Sequence, residues 1–62
     1  MEFDRKTEKF IEATCKKMYR VKSYNVFVKK LTDLVDEYGR KHGLNEDTMD
    51  AIQNEIFIRL GR

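Results

Sequence analysis

The chain lacks proline and tryptophan and has only three glycines, so few residues interrupt a helix. It has one cysteine, Cys15, and one histidine, His42, which excludes an intrachain disulfide and a Cys/His zinc site. A core of this size supplies roughly 3–5 kcal/mol, and small domains usually add a disulfide, a metal or a partner subunit. Because the first two are excluded, we expect either a well-packed monomer or an oligomer.

Long hydrophobic runs are also missing. No apolar stretch approaches the roughly 18–20 residues that span a bilayer. The first six residues, Met-Glu-Phe-Asp-Arg-Lys, lack the apolar middle of a secretory signal. A single thiol is tolerated in a reducing compartment, where it needs no pairing. We therefore expect a cytoplasmic protein with no membrane partner.

The length limits the kind of function. A chain of 62 residues holds one small domain and cannot form the walls of a deep active-site cleft. It contains no phosphate-binding loop, nucleophile elbow or metal motif. We interpret His42 as a residue at a helix end and Cys15 as a small, half-buried side chain. We therefore expect a non-enzyme with no cofactor, no metal and no small-molecule substrate.

Apolar residues recur at helical spacing in three segments, which predicts an all-α fold, a compact three-helix bundle forming one domain over residues 1–62. The second segment is the clearest, since its charged residues lie opposite its apolar ones. Gly43 and Leu44 after His42 predict a Schellman end for this helix. The expected helices span about 4–21, 25–42 and 46–60.

Two local alternatives remain open in the sequence. Either Ser23 or Asn25 is suited to cap the start of the second helix. Residues 55–58, Glu-Ile-Phe-Ile, contain three consecutive apolar side chains and also fit a short strand. We favour the helix, because few residues follow and no partner strand is visible.

The charge is divided between the two halves of the chain. Residues 5–30 include nine basic and two acidic side chains, a local net charge of +7, whereas the residues from 31 onward carry a net charge of −3. On a helical wheel several of the cations share an arc of roughly 60°. Such a stripe favours docking of an anionic partner, and the alternative is a solvated face that keeps the domain soluble. The nine candidate residues are Arg5, Lys6, Lys9, Lys16, Lys17, Arg20, Lys22, Lys29 and Lys30.

Three apolar residues lie off the predicted core stripes or at their edges: Val26, Phe57 and Ile58. They are candidates for a second interface, although single exposed apolar residues are also ordinary on protein surfaces. Together with the small core, they favour a homodimer paired in part through the third helix.

Two functions fit these features. The first is a small regulatory or adaptor protein that binds another protein, or a second copy of itself, through the basic first helix and an apolar surface. The second is a nucleic-acid-binding protein that contacts phosphates through residues 5–30. The spacing over residues 34–56 is similar to a DNA-binding helix-turn-helix, but the following helix opens with acidic residues that DNA repels. The residues that carry this similarity are Gly39, Gly43, Leu44, Met49 and Ile52.

Overall fold

Three α-helices make up most of the part of the chain that the computed structural model describes, residues 3–62. Helix α1 spans Arg5–Met18, α2 spans Tyr24–His42 and α3 spans Glu46–Leu60. The described residues form a compact bundle of 30 × 18 × 16 Å, in which every helix contacts the other two. The predicted all-α, three-helix fold is therefore confirmed.

Each helix begins after a residue whose side-chain oxygen accepts a hydrogen bond from a backbone amide of the first turn. These residues are Asp4, Ser23 and Asn45, and their bonds measure 2.8, 3.4 and 2.8 Å. Each cap satisfies one of the amides that have no partner within the helix. Ser23, and not Asn25, is therefore the cap of α2, and the helix begins at Tyr24.

Two helices end on glycine in the left-handed region. Gly43 has φ 65° and Gly61 has φ 70°, a conformation that costs other residues more. The amide of Leu44 donates to the carbonyl of Gly39 at 2.9 Å, and the amide of Arg62 donates to that of Phe57 at 2.9 Å. These bonds from the second residue past the helix are those of a Schellman motif, as predicted for α2.

Helix α1 ends three residues before the predicted limit at residue 21. A hydrogen bond of 3.0 Å from the amide of Val21 to the carbonyl of Met18 closes a turn there. Because Ser23 caps α2, a longer α1 would leave too little chain to reverse direction. The turn also lets Val21 pack, half-buried, against the core. Residues 55–58 are helical, so the strand alternative is wrong.

The core lies along the axis between the helices. Packed against it, the ring of Phe10 stacks on that of Tyr38 with centroids 4.0 Å apart, and the hydroxyls of Thr7 and Tyr38 are 3.2 Å apart. The start of α1 therefore lies beside the end of α2, and the two helices are antiparallel. The buried apolar residues are Ile11, Met18, Phe27, Leu31, Val35, Ile52 and Ile56.

Polar contacts join α3 to both of its neighbours. The guanidinium of Arg59 is paired with Glu8 of α1 and, at 2.8 Å, with Glu55 of its own helix. On the other side, Gln53 donates to the hydroxyl of Thr32 in α2 at 3.2 Å. The two carboxylates raise the pKa of Arg59 above its already high ordinary value, so this side chain stays charged.

One end of the bundle is closed by Arg62. Its guanidinium carbon lies 4.5 Å from the centroid of the Phe27 ring, and the same side chain donates to the carbonyl of Tyr19 at 3.5 Å. A cation over a phenyl ring is favourable, as is a cation at the carbonyl end of a helix. Residues from all three helices or their ends thus meet at Phe27.

Because Gly39 contacts Met49, we predict that the effect of Gly39→Ala on the free energy of unfolding has opposite signs with and without the Met49 side chain. A methyl group at Gly39 would overlap the sulfur of Met49 and lie 2.8 Å from its Cγ. We expect Gly39→Ala to lower the free energy of unfolding by about 1–2 kcal/mol, because overpacking outweighs the gain in helix propensity. In a Met49→Ala background, where the overlap is absent, the same change should raise it by up to about 1 kcal/mol. Urea unfolding of the four proteins tests this, and an equal effect in both backgrounds would contradict it.

The cap of α1 predicts a pH dependence. Hydrogen bonds from the amide and the hydroxyl of Thr7 hold the pKa of Asp4 below its ordinary value of 3.8. A carboxyl group whose pKa is lower in the folded state stabilises the protein at pH values above its ordinary pKa. This stabilisation is lost as the pH falls through the lowered pKa of the folded state. Asp4→Asn keeps a capping oxygen but does not ionise. Thermal unfolding between pH 7 and 2 should therefore show a difference in melting temperature between the two proteins that becomes smaller below pH 4. A difference independent of pH would exclude this role for Asp4.

Candidate anion-binding surface

All nine basic residues predicted to bind an anionic partner have exposed side chains. None of them forms an ion pair with a carboxylate of residues 3–62, whereas Arg40 and Arg59 both do. Their charge is thus available to an external anion. Helix α1 carries Arg5, Lys6, Lys9, Lys16 and Lys17, the segment before α2 carries Arg20 and Lys22, and α2 carries Lys29 and Lys30.

The outward face of α1 is the continuous part of this surface. Arg5, Lys9 and Lys16 lie opposite the buried side of the helix, and the exposed Ala13 separates them. Glu12 borders this face on the side of α3. The helix capped by Asp4 and ended at Met18 therefore presents cations along most of its length.

Arg20 lies outside α1, so its direction is not set by the helical period. Its Nε donates to the hydroxyl of Tyr19 at 3.0 Å, and its guanidinium carbon is 5.4 Å from the centroid of that ring. Tyr19 is 54% exposed and Tyr24 60% exposed, so two aromatic rings border the cations of this segment.

Lys29 and Lys30 point away from each other, because neighbouring residues in a helix are roughly 100° apart. Lys30 is one turn before Leu34, on the flank of α2 that faces α1. Lys29 lies on the flank of Thr32 and Asp36, which faces α3. The structure thus brings eight of the nine cations to the side of the bundle formed by α1 and its junction with α2. We call these eight the basic surface: Arg5, Lys6, Lys9, Lys16, Lys17, Arg20, Lys22 and Lys30.

An apolar groove runs between α1 and α2 beside the basic surface. Its base consists of Phe10, Leu34 and Tyr38, which are half-buried, and Glu37 and Lys41 stand on its rim. The helical pattern assigns Phe10, Leu34 and Tyr38 to the core stripes, but Ile11, Leu31 and Val35 fill the core and leave them at the edge. In the sequence, the feature that indicates the α1/α2 groove is the position of Phe10, Leu34 and Tyr38 at the edges of the apolar stripes.

The three residues predicted as an apolar interface do not lie together. Phe57 packs on the core, with its ring edge-on to Phe27 at 5.4 Å between centroids. Val26 is 44% exposed and points outward from α2, whereas Ile58 is 72% exposed on the outward face of α3, beside Ala51. The two outward faces belong to different sides of the bundle.

The opposite side, between α2 and α3, is acidic. Asp36, Glu46 and Asp50 line a cleft there. A turn of residues 43–45 joins the helices, as the helix-turn-helix spacing requires, but the first turn of α3 exposes carboxylates. Within residues 3–62, no three His, Cys, Asp or Glu side chains are arranged to hold a metal ion.

Neither Cys15 nor His42 is joined to a set of reactive groups. Cys15 is half-buried near Arg59, and burial raises the pKa of its thiol above the ordinary value. A raised pKa lowers the fraction of reactive thiolate at neutral pH. His42 is exposed in the last turn of α2, with its ring 4.4 Å from that of Tyr38. Both side chains have the structural positions that the sequence predicts.

Charge and shape thus distinguish the two sides of the bundle, one with the basic surface and the α1/α2 groove and one with the acidic cleft. None of the three described helices is long and apolar enough to cross a bilayer. No protein-family model matches the chain, and no curated protein or solved structure is significantly similar to it.

Proposed function

We propose that this chain is a small, non-enzymatic regulatory or adaptor protein that binds an acidic region of another protein through its basic surface. The observation that supports this most is the absence of ion pairs between the basic surface and the carboxylates of residues 3–62. An exposed ion pair contributes only about 0.2–1 kcal/mol, so several cations must act together. Arg5 and Lys17 are separated by about 18 Å along α1, a length that a short acidic segment matches.

The apolar part of this interface is the α1/α2 groove. Phe10, Leu34 and Tyr38 are next to the cations of both helices. Ile58 is on the outward face of α3, and Val26 is a single exposed apolar residue one turn before Lys30. Protein interfaces usually combine an apolar centre with a polar rim, which the α1/α2 groove and the basic surface together provide. Cys15 is a free thiol, which suits the reducing conditions of the cytoplasm, and we infer that the protein acts there.

Nucleic-acid binding is the second candidate, and a specific observation favours it. Tyr19 and Tyr24 are more than half exposed among the cations that precede α2. Bases of a single strand stack on aromatic rings while cations hold the phosphates. The basic surface would then contact phosphates, because the first turn of α3 carries the wrong charge for DNA.

Removal of cations from α1 should show whether binding depends on the basic surface or only on the net charge of the protein. We expect Lys9→Gln with Lys16→Gln to weaken binding of fluorescent poly-glutamate about tenfold, as measured by anisotropy at low salt. Lys29→Gln with Arg40→Gln removes the same charge from the flank of α2 that faces α3 and should have little effect. Equal losses in the two double variants would contradict the proposal.

The same measurement on a single-stranded oligonucleotide separates the two candidates. Binding to phosphates releases counterions condensed on the nucleic acid, and the free energy gained by this release decreases as the salt concentration rises, so binding weakens steeply. Poly-glutamate binding that persists at 150 mM salt, where oligonucleotide binding is lost, supports a protein partner. The reverse supports a nucleic acid, and no binding of either at low salt excludes both.

We also propose that two copies pair through the outward face of α3, where Ile58 is the most exposed large apolar residue of residues 3–62. A two-fold axis would place the two Ile58 side chains near each other. We expect sedimentation to show a dimer and Ile58→Glu to give a folded monomer, since the side chain is 72% exposed. Val26→Glu, on α2, is the matched control and should remain a dimer. A monomeric wild-type protein would exclude the pairing.

A further inference from the structure

The α1/α2 groove combines exposed apolar side chains with a rim that is mostly basic. Phe10 and Leu34 are both half-buried although they lie next to the core, and the ring of Tyr38 is held against that of Phe10 by their stacking. The hydroxyl of Tyr38 is also within 3.2 Å of that of Thr7. The base of the α1/α2 groove is therefore apolar and held in place by contacts from both helices.

The rim follows from the helical period. Lys6 is one turn before Phe10 and Lys17 is two turns after it, so both lie on the side of α1 that faces α2. On α2, Lys30 is one turn before Leu34, and Lys41 lines the α1/α2 groove directly. All four lysines are exposed, and Glu37 is the one acidic residue that lines the α1/α2 groove.

We infer that the α1/α2 groove binds an amphipathic α-helix of a partner protein, with aliphatic residues on one face and acidic residues beside them. This inference rests on the proposed function and adds the kind of partner segment. The distance from Lys6 to Lys17 along α1 is about 16 Å, the length of about three helical turns. Aliphatic residues at i, i+3, i+4 and i+7 would contact Phe10, Leu34 and Tyr38, and flanking carboxylates would meet the lysines.

Charge complementarity selects this occupant. A nucleic-acid backbone would satisfy the lysines but leave the apolar base of the α1/α2 groove without a partner. A basic or neutral amphipathic helix would cover the apolar base but leave the lysines unpaired or repelled. Only a segment that is both apolar and acidic satisfies the two parts of the site, and the positive charge of the lysines also disfavours competing basic helices.

The test uses the full chain and a designed probe. The probe is a capped peptide of about 14 residues with leucines at i, i+3, i+4 and i+7 and glutamates at most other positions. We expect saturable chemical-shift changes in the amide NMR spectrum at Phe10, Leu34 and Tyr38. A control peptide, in which serines replace the leucines at unchanged charge, should bind at least tenfold more weakly.

Two neighbouring lysines provide the matched variants. Lys30→Glu and Lys29→Glu change the net charge equally, and both residues are exposed, but only Lys30 lies beside the α1/α2 groove. We expect Lys30→Glu to weaken peptide binding about tenfold and Lys29→Glu less than twofold. Leu34→Gln, checked for helical content by circular dichroism, should weaken it at least fivefold without changing poly-glutamate binding.

The outcomes separate the inference from the proposed function. If the leucine and serine peptides bind equally, or the two lysine variants behave alike, the α1/α2 groove is not the site, although the basic surface still binds acidic segments. If neither peptide nor poly-glutamate binds, both proposals fail. If the signals of the α1/α2 groove shift with protein concentration alone, a second copy of this chain occupies it and the inference is wrong.

Discussion

The burial of one apolar stripe from each of three helices is the constraint on which the rest of the molecule depends. Residues 3–62 form one core, and its buried side chains, with Phe27 and Leu31 among the largest, fill it. Each helix therefore buries one face, and its period of about 3.6 residues per turn determines which residues face the solvent. The basic surface, the acidic cleft and the α1/α2 groove all result from the burial of these three faces.

Specific contacts at the edges of the core set how the helices lie against one another. Gly39 leaves space for Met49, which allows α2 and α3 to approach closely. Arg59 joins α3 to α1, and Arg62 covers Phe27 at the end of the bundle. These contacts connect different pairs of helices, so together they fix the position of α1 relative to α2, the two helices that carry most of the basic surface. A binding site built on packed helices is more rigid than one on loops.

Much of this architecture could be predicted from local signals. The stop at Gly43 is a chemical property of one residue, and capping chemistry limits the start of α2 to Ser23 or Asn25, so α2 and α3 begin and end within one residue of prediction. The end of α1 lies three residues before the predicted limit, because it depends on how the chain reverses direction before α2. The α1/α2 groove and the separation of Lys29 from Lys30 depend on which flank meets a neighbouring helix, and no single segment contains that information.

The division of charge also decides what an approaching molecule experiences. The bundle is 18 and 16 Å across its two shorter directions, about twice the Debye length of about 8 Å at physiological salt. Charges on one side are thus largely screened from the other, and the formal net charge of +2 describes neither. An anion that arrives beside α1 experiences a strongly cationic particle, whereas a cation near the cleft between α2 and α3 experiences an anionic one. The electrostatic energy of the protein near another charged molecule therefore depends on which side faces that molecule, which is the physical basis of electrostatic steering.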